Sequence, residues 1–271
     1  MPYFLTSDNV RLYYNCIGSG APIILLHGWA CNHQFFNNQI QELSKNFKVV
    51  YYDLRGHGSS EVTDYDLNLT RFAMDLKELI DFLALKDVTL VGWSMGTSII
   101  FDYINQFGCE NLYKLCLIDM TPKVVTDSNW NYKSYGNFNC ESNFNKIVSM
   151  SDNWIKFCKY FIPALFAKSG CTDEEVLNWT INEARKSNPN VMIRMWISMS
   201  SKNYLPVLKK ISIPTLITYG EESILYPPEN SEYMHKEIEN SQLLPFPKCG
   251  HALFMENSEI FNEELTKFIN K

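Results

Sequence analysis

Hydrophobic positions along the chain follow two patterns that alternate. Short apolar runs such as Pro22–Leu26 and Leu112–Ile118 have the length and composition of buried β-strands. Longer stretches between them place apolar residues every three or four positions, which is typical of a helix with one face packed on a sheet. One such helix is predicted after Asn68, its candidate N-terminal cap, from Leu69, Phe72, Ala73, Leu76, Leu79, Ile80 and Leu83.

Eight segments carry the strand pattern, and helices are predicted between most of them. The strands are residues 4–6, 11–17, 22–26, 47–52, 88–91, 112–118, 213–219 and 242–246, and further helices cover 34–43, 98–107 and 228–238 before a closing helix. Short connections between alternating strands and helices favour parallel pairing. We therefore predict an α/β fold with a mostly parallel eight-stranded sheet covered by helices on both faces.

This alternation stops between residues 122 and 205, where the chain is helical and aromatic. The aromatic residues are Trp130, Tyr132, Tyr135, Phe138, Phe144, Trp154, Phe157, Tyr160, Phe161, Phe166, Trp179, Trp196 and Tyr204. Ten basic and seven acidic residues give the segment a net charge of +3 in a chain of net charge −6. We predict a helical lid inserted after strand six, with residues 1–121 and 206–271 forming the core.

Composition narrows the class of protein. The 271 residues are 46% hydrophobic, enough for a large core, and the negative net charge argues against a nucleic-acid partner. No apolar run approaches the ~20 residues of a membrane span, so a cytoplasmic protein away from membranes is expected. The eight cysteines lack the Cys-x-x-Cys spacing of zinc sites, which predicts reduced thiols and no metal.

The stretch with the clearest chemistry is Gly92-Trp93-Ser94-Met95-Gly96, which lies between a predicted strand and a predicted helix. In that context Gly-x-Ser-x-Gly forms a sharp turn that presents the serine hydroxyl above the sheet, and the glycines allow close backbone approach. Ser94 is therefore the predicted nucleophile. The Met95 N–H, at the helix start, is a predicted oxyanion donor.

Two further motifs follow predicted strands. His27-Gly28-Trp29 follows the third strand and offers the Trp29 N–H as a second oxyanion donor, and Gly250-His251 follows the last strand and offers a general base. The carboxyl ends of parallel strands meet at one edge of a sheet, so these residues are expected to meet Ser94 there.

The loop from Asp53 to Ser60 contains two glycines, an aspartate and an arginine. It predicts a tight turn braced by an ion pair between Asp53 and Arg55. His27 and His57 are expected to act as hydrogen-bonding struts and not as bases.

Taken together, these motifs resemble the α/β-hydrolase family over essentially the whole chain. Within it the sequence is most similar to lidded carboxylesterases, such as those that cleave pimeloyl-carrier methyl esters, and to cofactor-free perhydrolases. The resemblance implies a Ser–His pair, here Ser94 and His251, and chemistry without cofactor or metal.

The acid of the triad departs from the family pattern. Most members carry Gly-x-x-Asp after the seventh strand, where this chain has Ser223. Asp119, at the end of the neighbouring strand, is the preferred substitute, because some members place their acid there. Glu222 or Glu221 is the alternative, and a site without an acid is the third.

The sequence therefore predicts a serine carboxylesterase that acts on small to medium esters with an apolar acyl part. An acidic acyl-carrier protein is a candidate partner that would deliver the acyl chain to the basic lid. Two alternatives stay open: perhydrolase or haloperoxidase-type activity at the same site, and a non-catalytic ligand receptor, which the missing acid at Ser223 would suggest.

Overall fold

The computed structural model describes residues 2–130 and 137–271. Eight strands form one sheet in the order β1-β2-β4-β3-β5-β6-β7-β8. They are β1 Tyr3–Leu5, β2 Arg11–Ile17, β3 Pro22–Leu26, β4 Lys48–Tyr52, β5 Val88–Trp93, β6 Leu112–Ile118, β7 Thr215–Gly220 and β8 Ser241–Phe246. Pairing is antiparallel at β1–β2 and β2–β4 and parallel from β4 across to β8. The predicted mostly parallel sheet is confirmed.

The described residues contain eleven α-helices. They are α1 Asn37–Leu43, α2 Leu69–Phe82, α3 Met95–Phe107, α4 Cys140–Asp152, α5 Trp154–Phe161, α6 Glu174–Arg185, α7 Pro189–Ser201, α8 Leu205–Leu208, α9 Pro228–Glu237, α10 Leu253–Glu256 and α11 Ser258–Asn270. The Asn68 side chain accepts a hydrogen bond from the Arg71 N–H and caps α2, as its position predicts. Helix α3 starts at Met95, three residues before the predicted Ser98, because the elbow leads directly into the helix.

The central strands carry the core. All six residues of β5 and all six of β7 are buried, as expected for strands covered on both faces. Their carboxyl ends lie at the same edge as those of β3, β6 and β8. The pairs Leu26↔Gly92, Trp93↔Ile118 and Gly220↔Phe246 bring the loops that follow these strands together.

The predicted ion pair inside the Asp53–Ser60 loop is wrong. Arg55 is fully buried and instead makes bidentate contacts with Asp8, in the β1–β2 turn, and with Asp75 on α2, at 2.6 to 3.0 Å. Asp53 accepts hydrogen bonds from the backbone and the ring of His33 and from the Ser59 N–H. Sequence proximity suggested the wrong partner because the planar guanidinium points out of its own turn, between two carboxylates that are distant in sequence.

Helices α4 to α8 lie between β6 and β7, and the segment from α4 to α7 is called the insertion below. That residues 122–205 form a separate lid stays a prediction. Two of the aromatic residues noted there, Tyr132 and Tyr135, lie outside the described residues. Within the described parts of the chain, no helix combines the length and the apolar character needed to cross a membrane. All eight cysteines are free; Cys31, Cys116, Cys158 and Cys249 are buried, whereas Cys140 is exposed.

Candidate active site

Ser94 lies at a strained point of the backbone. Its φ and ψ are 56° and −118°, a combination that L-residues rarely adopt, and it sits between the last residue of β5 and the first of α3. The Ser94 N–H donates to the Ile118 carbonyl (3.1 Å), so the elbow is tied to the end of β6. The turn keeps Ser94 at the carboxyl edge of the sheet, with 9% of its surface exposed.

The two motif glycines allow the elbow to pack closely on its neighbours. A Cβ at Gly96 would lie 2.2 Å from the Leu26 carbonyl oxygen of β3. A Cβ at Gly92 would lie 2.7 Å from the Gly96 backbone and from Ile100. Glycine at both positions therefore lets α3 approach β3 and β5 and fixes where Ser94 is presented.

The His27-Gly28-Trp29 segment lies beside the elbow. A Cβ at Gly28 would be 3.3 Å from the Ser94 Cβ, so this backbone passes next to the serine. His27 Nε2 accepts from the Leu54 N–H (3.0 Å) and its Nδ1 bonds the Gly28 carbonyl (2.8 Å). His27 is thus a strut between two loops, as predicted, and burial lowers its pKa to about 4, which keeps it neutral.

His251 and Asp119 are in direct contact. His251 Nδ1 lies 2.6 Å from Asp119 Oδ2, and both side chains are buried. Asp119 directly follows β6 with a left-handed φ of 41°, and its N–H donates to the Thr218 carbonyl (2.8 Å). The structure therefore brings the imidazole after β8 and the carboxylate after β6 together across the end of β7.

The other candidate acid lies elsewhere. Glu222 is partly exposed, and its carboxylate accepts from the Ser169 N–H (3.0 Å). Hydrogen bonds from the Ser169 side chain and from its N–H lower the pKa of Glu222. Ser223, where the family pattern described above would place an aspartate, donates its hydroxyl to Asp119 Oδ2 (2.8 Å). Of the carboxylates weighed from the sequence, Asp119 is the one that contacts His251.

Ser94, His251 and Trp29 line one cavity. Its other walls are apolar: Gly28 and Trp93 from the core, Leu225 after β7, and Phe161, Leu165, Trp196 and Met199 from the insertion. The centre of a water molecule can reach only about 10 Å³ of it, room for roughly one water.

Aromatic rings of the insertion surround Trp29. The Trp29 ring centroid is 5.3 to 5.6 Å from those of Trp154, Phe161 and Trp196, all edge-on. The Trp29 indole also donates to the Met192 carbonyl of α7 (2.8 Å). The oxyanion-loop candidate is therefore anchored to the insertion as well as to the core.

Three hydrogen bonds of the site are not evident from the sequence. The Trp93 indole donates to the His251 carbonyl (2.9 Å), and Glu256 accepts from the N–H groups of Gly250 (2.7 Å) and Ala167 (2.8 Å). Burial raises the pKa of Glu256. Only its position at the end of the short helix α10, which follows Gly250-His251, could have drawn attention to Glu256.

Metal ligands are not gathered anywhere in the described residues: no group of three or more His, Cys, Asp or Glu side chains is placed to hold an ion.

Comparison with known families gives a match over residues 23–264 to the model of the alpha/beta hydrolase family. The chain belongs to the alpha/beta hydrolase family. The AB hydrolase superfamily protein YisY of Bacillus subtilis is 30% identical over 279 residues, covering 99% of this chain and 98% of the relative.

Other members of the family carry more specific names. The bifunctional esterase/perhydrolase DCH of Acinetobacter calcoaceticus is 25% identical and covers 99% of both chains. A pimeloyl-[acyl-carrier protein] methyl ester esterase of Nitrosomonas europaea is 23% identical over 92% of this chain and 96% of the relative. Among solved structures, an esterase from Exiguobacterium antarcticum superposes with a TM-score of 0.93, 28% identity and 99% coverage of both chains.

Proposed function

We propose that this α/β hydrolase is a serine carboxylesterase that forms an acyl-enzyme on Ser94. The observation that carries the proposal is the 2.6 Å contact between His251 Nδ1 and Asp119 Oδ2, with His251 and Ser94 lining the same cavity. A carboxylate at Nδ1 leaves Nε2 as the nitrogen that takes a proton, the arrangement a general base needs. The esterases among the relatives and solved structures support the same reaction.

The proposed reaction has two halves. Ser94 Oγ attacks the ester carbonyl carbon while His251 Nε2 takes the hydroxyl proton, and the tetrahedral intermediate collapses as His251 protonates the departing alkoxide. Water then attacks the acyl carbonyl carbon while His251 Nε2 takes one of its protons. His251 returns that proton to Ser94 Oγ as the bond from Oγ to the acyl carbon breaks and the carboxylic acid leaves. Asp119 stays ionised throughout and stabilises the imidazolium.

The oxyanion would be held by the backbone N–H groups of Trp29 and Met95. Met95 opens α3, and N–H groups in the first turn of a helix have no partner within the helix. The Gly28-Trp29 backbone passes next to the Ser94 side chain. Each such donor is worth about 3–4 kcal/mol in the transition state.

The proposed substrate has an apolar acyl part, because the cavity walls beyond Ser94 and His251 are aromatic and aliphatic. We propose that residues 122–205 act as a lid. The free space at Ser94 accommodates no acyl group larger than about one water molecule, so the aromatic residues of the lid must move before substrate binds.

An ester panel tests the proposed function. Hydrolysis of p-nitrophenyl esters of increasing acyl length should be abolished by Ser94→Ala and preserved by the matched control Ser98→Ala, a buried serine in the first turn of α3, which follows Ser94. Hydrolysis by purified Ser94→Ala at the wild-type rate would overturn the assignment.

Perhydrolysis is the second candidate, favoured by the esterase/perhydrolase relative. Hydrogen peroxide would replace water as the acceptor of the same acyl group and release a peracid. Comparing peracid formation with hydrolysis of one ester at matched acceptor concentrations tells the two apart. The alternative of a non-catalytic receptor rested on the absence of an acid at position 223. Asp119 supplies a carboxylate in contact with His251, so that argument for a receptor no longer holds.

An acidic acyl-carrier protein remains the proposed macromolecular partner, in line with the carrier named for one relative. Lys156 and Lys159 are exposed on α5 next to the exposed apolar side chains of Ile155 and Tyr160. Arg194, another basic residue of the insertion, instead donates to the Asp64 carbonyl of the core. Lys156→Glu combined with Lys159→Glu should lower kcat/KM for a carrier-linked ester but not for a free methyl ester; an equal effect on both would contradict carrier docking.

A further inference from the structure

The Asp119 carboxylate receives more than the imidazole. Ser223 Oγ donates to Asp119 Oδ2 at 2.8 Å, the same oxygen that lies 2.6 Å from His251 Nδ1, and the Gly220 N–H donates to Oδ1 at 3.3 Å. The Ser223 hydroxyl in turn accepts from the Tyr226 N–H at 3.4 Å. Because that N–H occupies a lone pair of the hydroxyl, the hydroxyl proton is directed at Asp119.

We propose that Ser223 is a positioning residue of the active site, which holds Asp119 in the orientation that His251 needs. The inference rests on the proposed function, because it assigns to Asp119 the role of triad acid. Ser223 does not contact the reacting atoms and acts through Asp119.

Sheet order explains why such a residue is needed. β7 lies between β6 and β8, so a carboxylate attached to the end of β6 has to cross the end of β7 to reach the imidazole after β8. At that crossing the chain places Gly220 and Ser223, and both donate to the carboxylate. A short side chain leaves the path open, and a hydroxyl supplies the donor.

Charge explains why residue 223 is not acidic. A carboxylate at 223 would face Asp119 at hydrogen-bond distance, and two carboxylates that close cannot both be ionised at neutral pH. A hydroxyl does the opposite, because donation to an ionised oxygen is stronger than a hydrogen bond between neutral groups. Residues 119 and 223 thus act as a pair, in which one carries the charge and the other stabilises it.

Loss of the hydroxyl should have two consequences. Asp119 loses a constraint on its rotamer, which lowers kcat while leaving the binding walls and KM unchanged. The carboxylate also becomes more basic, which favours protonated His251 and moves the acidic limb of the kcat/KM profile to higher pH. Glu256, the other carboxylate near this pair, remains as it is in every variant.

The test compares Ser223→Ala with Ser223→Thr, which keeps the hydroxyl, and with Thr218→Val. Thr218 is the matched control, because its buried hydroxyl on β7 has no hydrogen-bond partner among the described residues. We expect Ser223→Ala to lower kcat roughly 10- to 100-fold with KM within about twofold, as for a lost hydrogen bond to a charge. The acidic limb should move up by roughly half a pH unit or more, with Ser223→Thr and Thr218→Val close to wild type.

A second readout does not depend on turnover. A proton on His251 Nδ1 that is hydrogen-bonded to Asp119 is expected to give a low-field NMR signal. This signal should change position in Ser223→Ala but not in Thr218→Val. Should the alanine variant fold poorly, Ser223→Cys fills nearly the same space with a weaker donor and should change the signal in the same direction. A protein that hydrolyses no ester would refute the proposed function and still leave this readout intact.

The proposal is overturned if the alanine and cysteine variants both match Thr218→Val in kcat, in the acidic limb and in the His251 proton signal.

Discussion

Two residues of the site have a positive φ, which residues other than glycine seldom adopt. Ser94 and Asp119 both have a positive φ, 56° and 41°, and both directly follow a central strand. Each such conformation costs on the order of 1–3 kcal/mol, so it persists only where the surroundings determine it. The N–H of each residue is held by the next strand, Ser94 by Ile118 and Asp119 by Thr218. The sheet thus fixes the directions in which the hydroxyl and the carboxylate leave the backbone.

The identity of the acid can be tested by single substitutions. Asp119→Asn should fold but lose about 10⁴-fold in kcat on a p-nitrophenyl ester, because a neutral amide does not stabilise the imidazolium. Glu222→Gln is the matched control on the partly exposed carboxylate and should stay within about twofold of wild type, because surface changes of this kind have small effects. Assays of both variants at one pH are sufficient; an Asp119→Asn variant within tenfold of wild type would contradict the assignment.

At the scale of residues, the sequence predicted those site residues whose position is set by the end of a strand. Ser94, His251 and Asp119 each follow a strand whose composition was visible, so their meeting could be inferred from parallel pairing. The bond from Ser223 and the anchor from Glu256 depend on the direction of side chains after the chain has turned. Local pattern does not encode that direction, and the same limit explains the misassigned partner of Arg55.

At the scale of elements, the aromatic cluster on α5 and α7 connects the insertion to the core. The rings of Phe161 and Trp196 contact each other edge-on, and both contact Trp29. The same two rings line the cavity at Ser94. The position of α5 relative to the core therefore sets the free space at Ser94, where the acyl group of the proposed substrate would bind.

Phe161 offers the sharpest test of this coupling. Phe161→Ala removes a ring from the cavity wall and should raise kcat/KM for long-chain p-nitrophenyl esters relative to the acetate. Because Phe161 is only half-buried, the loss of stability should stay below the ~3–5 kcal/mol of a fully buried phenylalanine.

Tyr160→Ala is the control on the neighbouring residue, which is 71% exposed on the same helix and should leave the chain-length preference unchanged. An acyl-length profile of Phe161→Ala that is identical to that of Tyr160→Ala would count against a lid that limits the acyl site.

Strands and the sheet helices were predictable because burial imposes their periodicity. The start of α3 was misplaced because glycine disfavours helix in the sequence, and Gly96 lies in the first turn of α3. Glycine is needed there, because a Cβ at Gly96 would collide with the Leu26 carbonyl of β3. The packing of the insertion was less predictable, because its aromatic residues contact partners distant in sequence, such as Trp29.

Across the whole molecule, buried neutral histidines make stability depend on pH. Burial lowers the pKa of His27 to about 4, and burial together with the neighbouring His27 lowers that of His57 to about 3. The folded protein therefore keeps both rings neutral at pH 5, whereas the unfolded chain binds a proton at each below about pH 6.5. The stabilising free energy that comes from keeping these rings neutral is fully present above about pH 6.5. It decreases as the pH falls towards the pKa values of His27 and His57 in the folded protein.

Urea unfolding at pH 7 and pH 5 measures this effect. Each histidine should contribute a loss of about 2 kcal/mol between the two, from 1.36 kcal/mol per pH unit below 6.5. His57→Gln should reduce the difference by about that amount. Equal free energies of unfolding at both pH values would show that the rings are protonated in the fold.

Covalent labelling tests the central claim, that Ser94 is a nucleophile activated by His251 and Asp119. The protein is treated with a fluorophosphonate, and the adduct is located by intact mass and peptide mapping. The account predicts one adduct per chain on Ser94, none in Ser94→Ala, and labelling at least a hundredfold slower in Asp119→Asn, as expected for loss of the triad acid. An unlabelled wild-type protein, or an adduct on another residue while Ser94 stays unmodified, would contradict it.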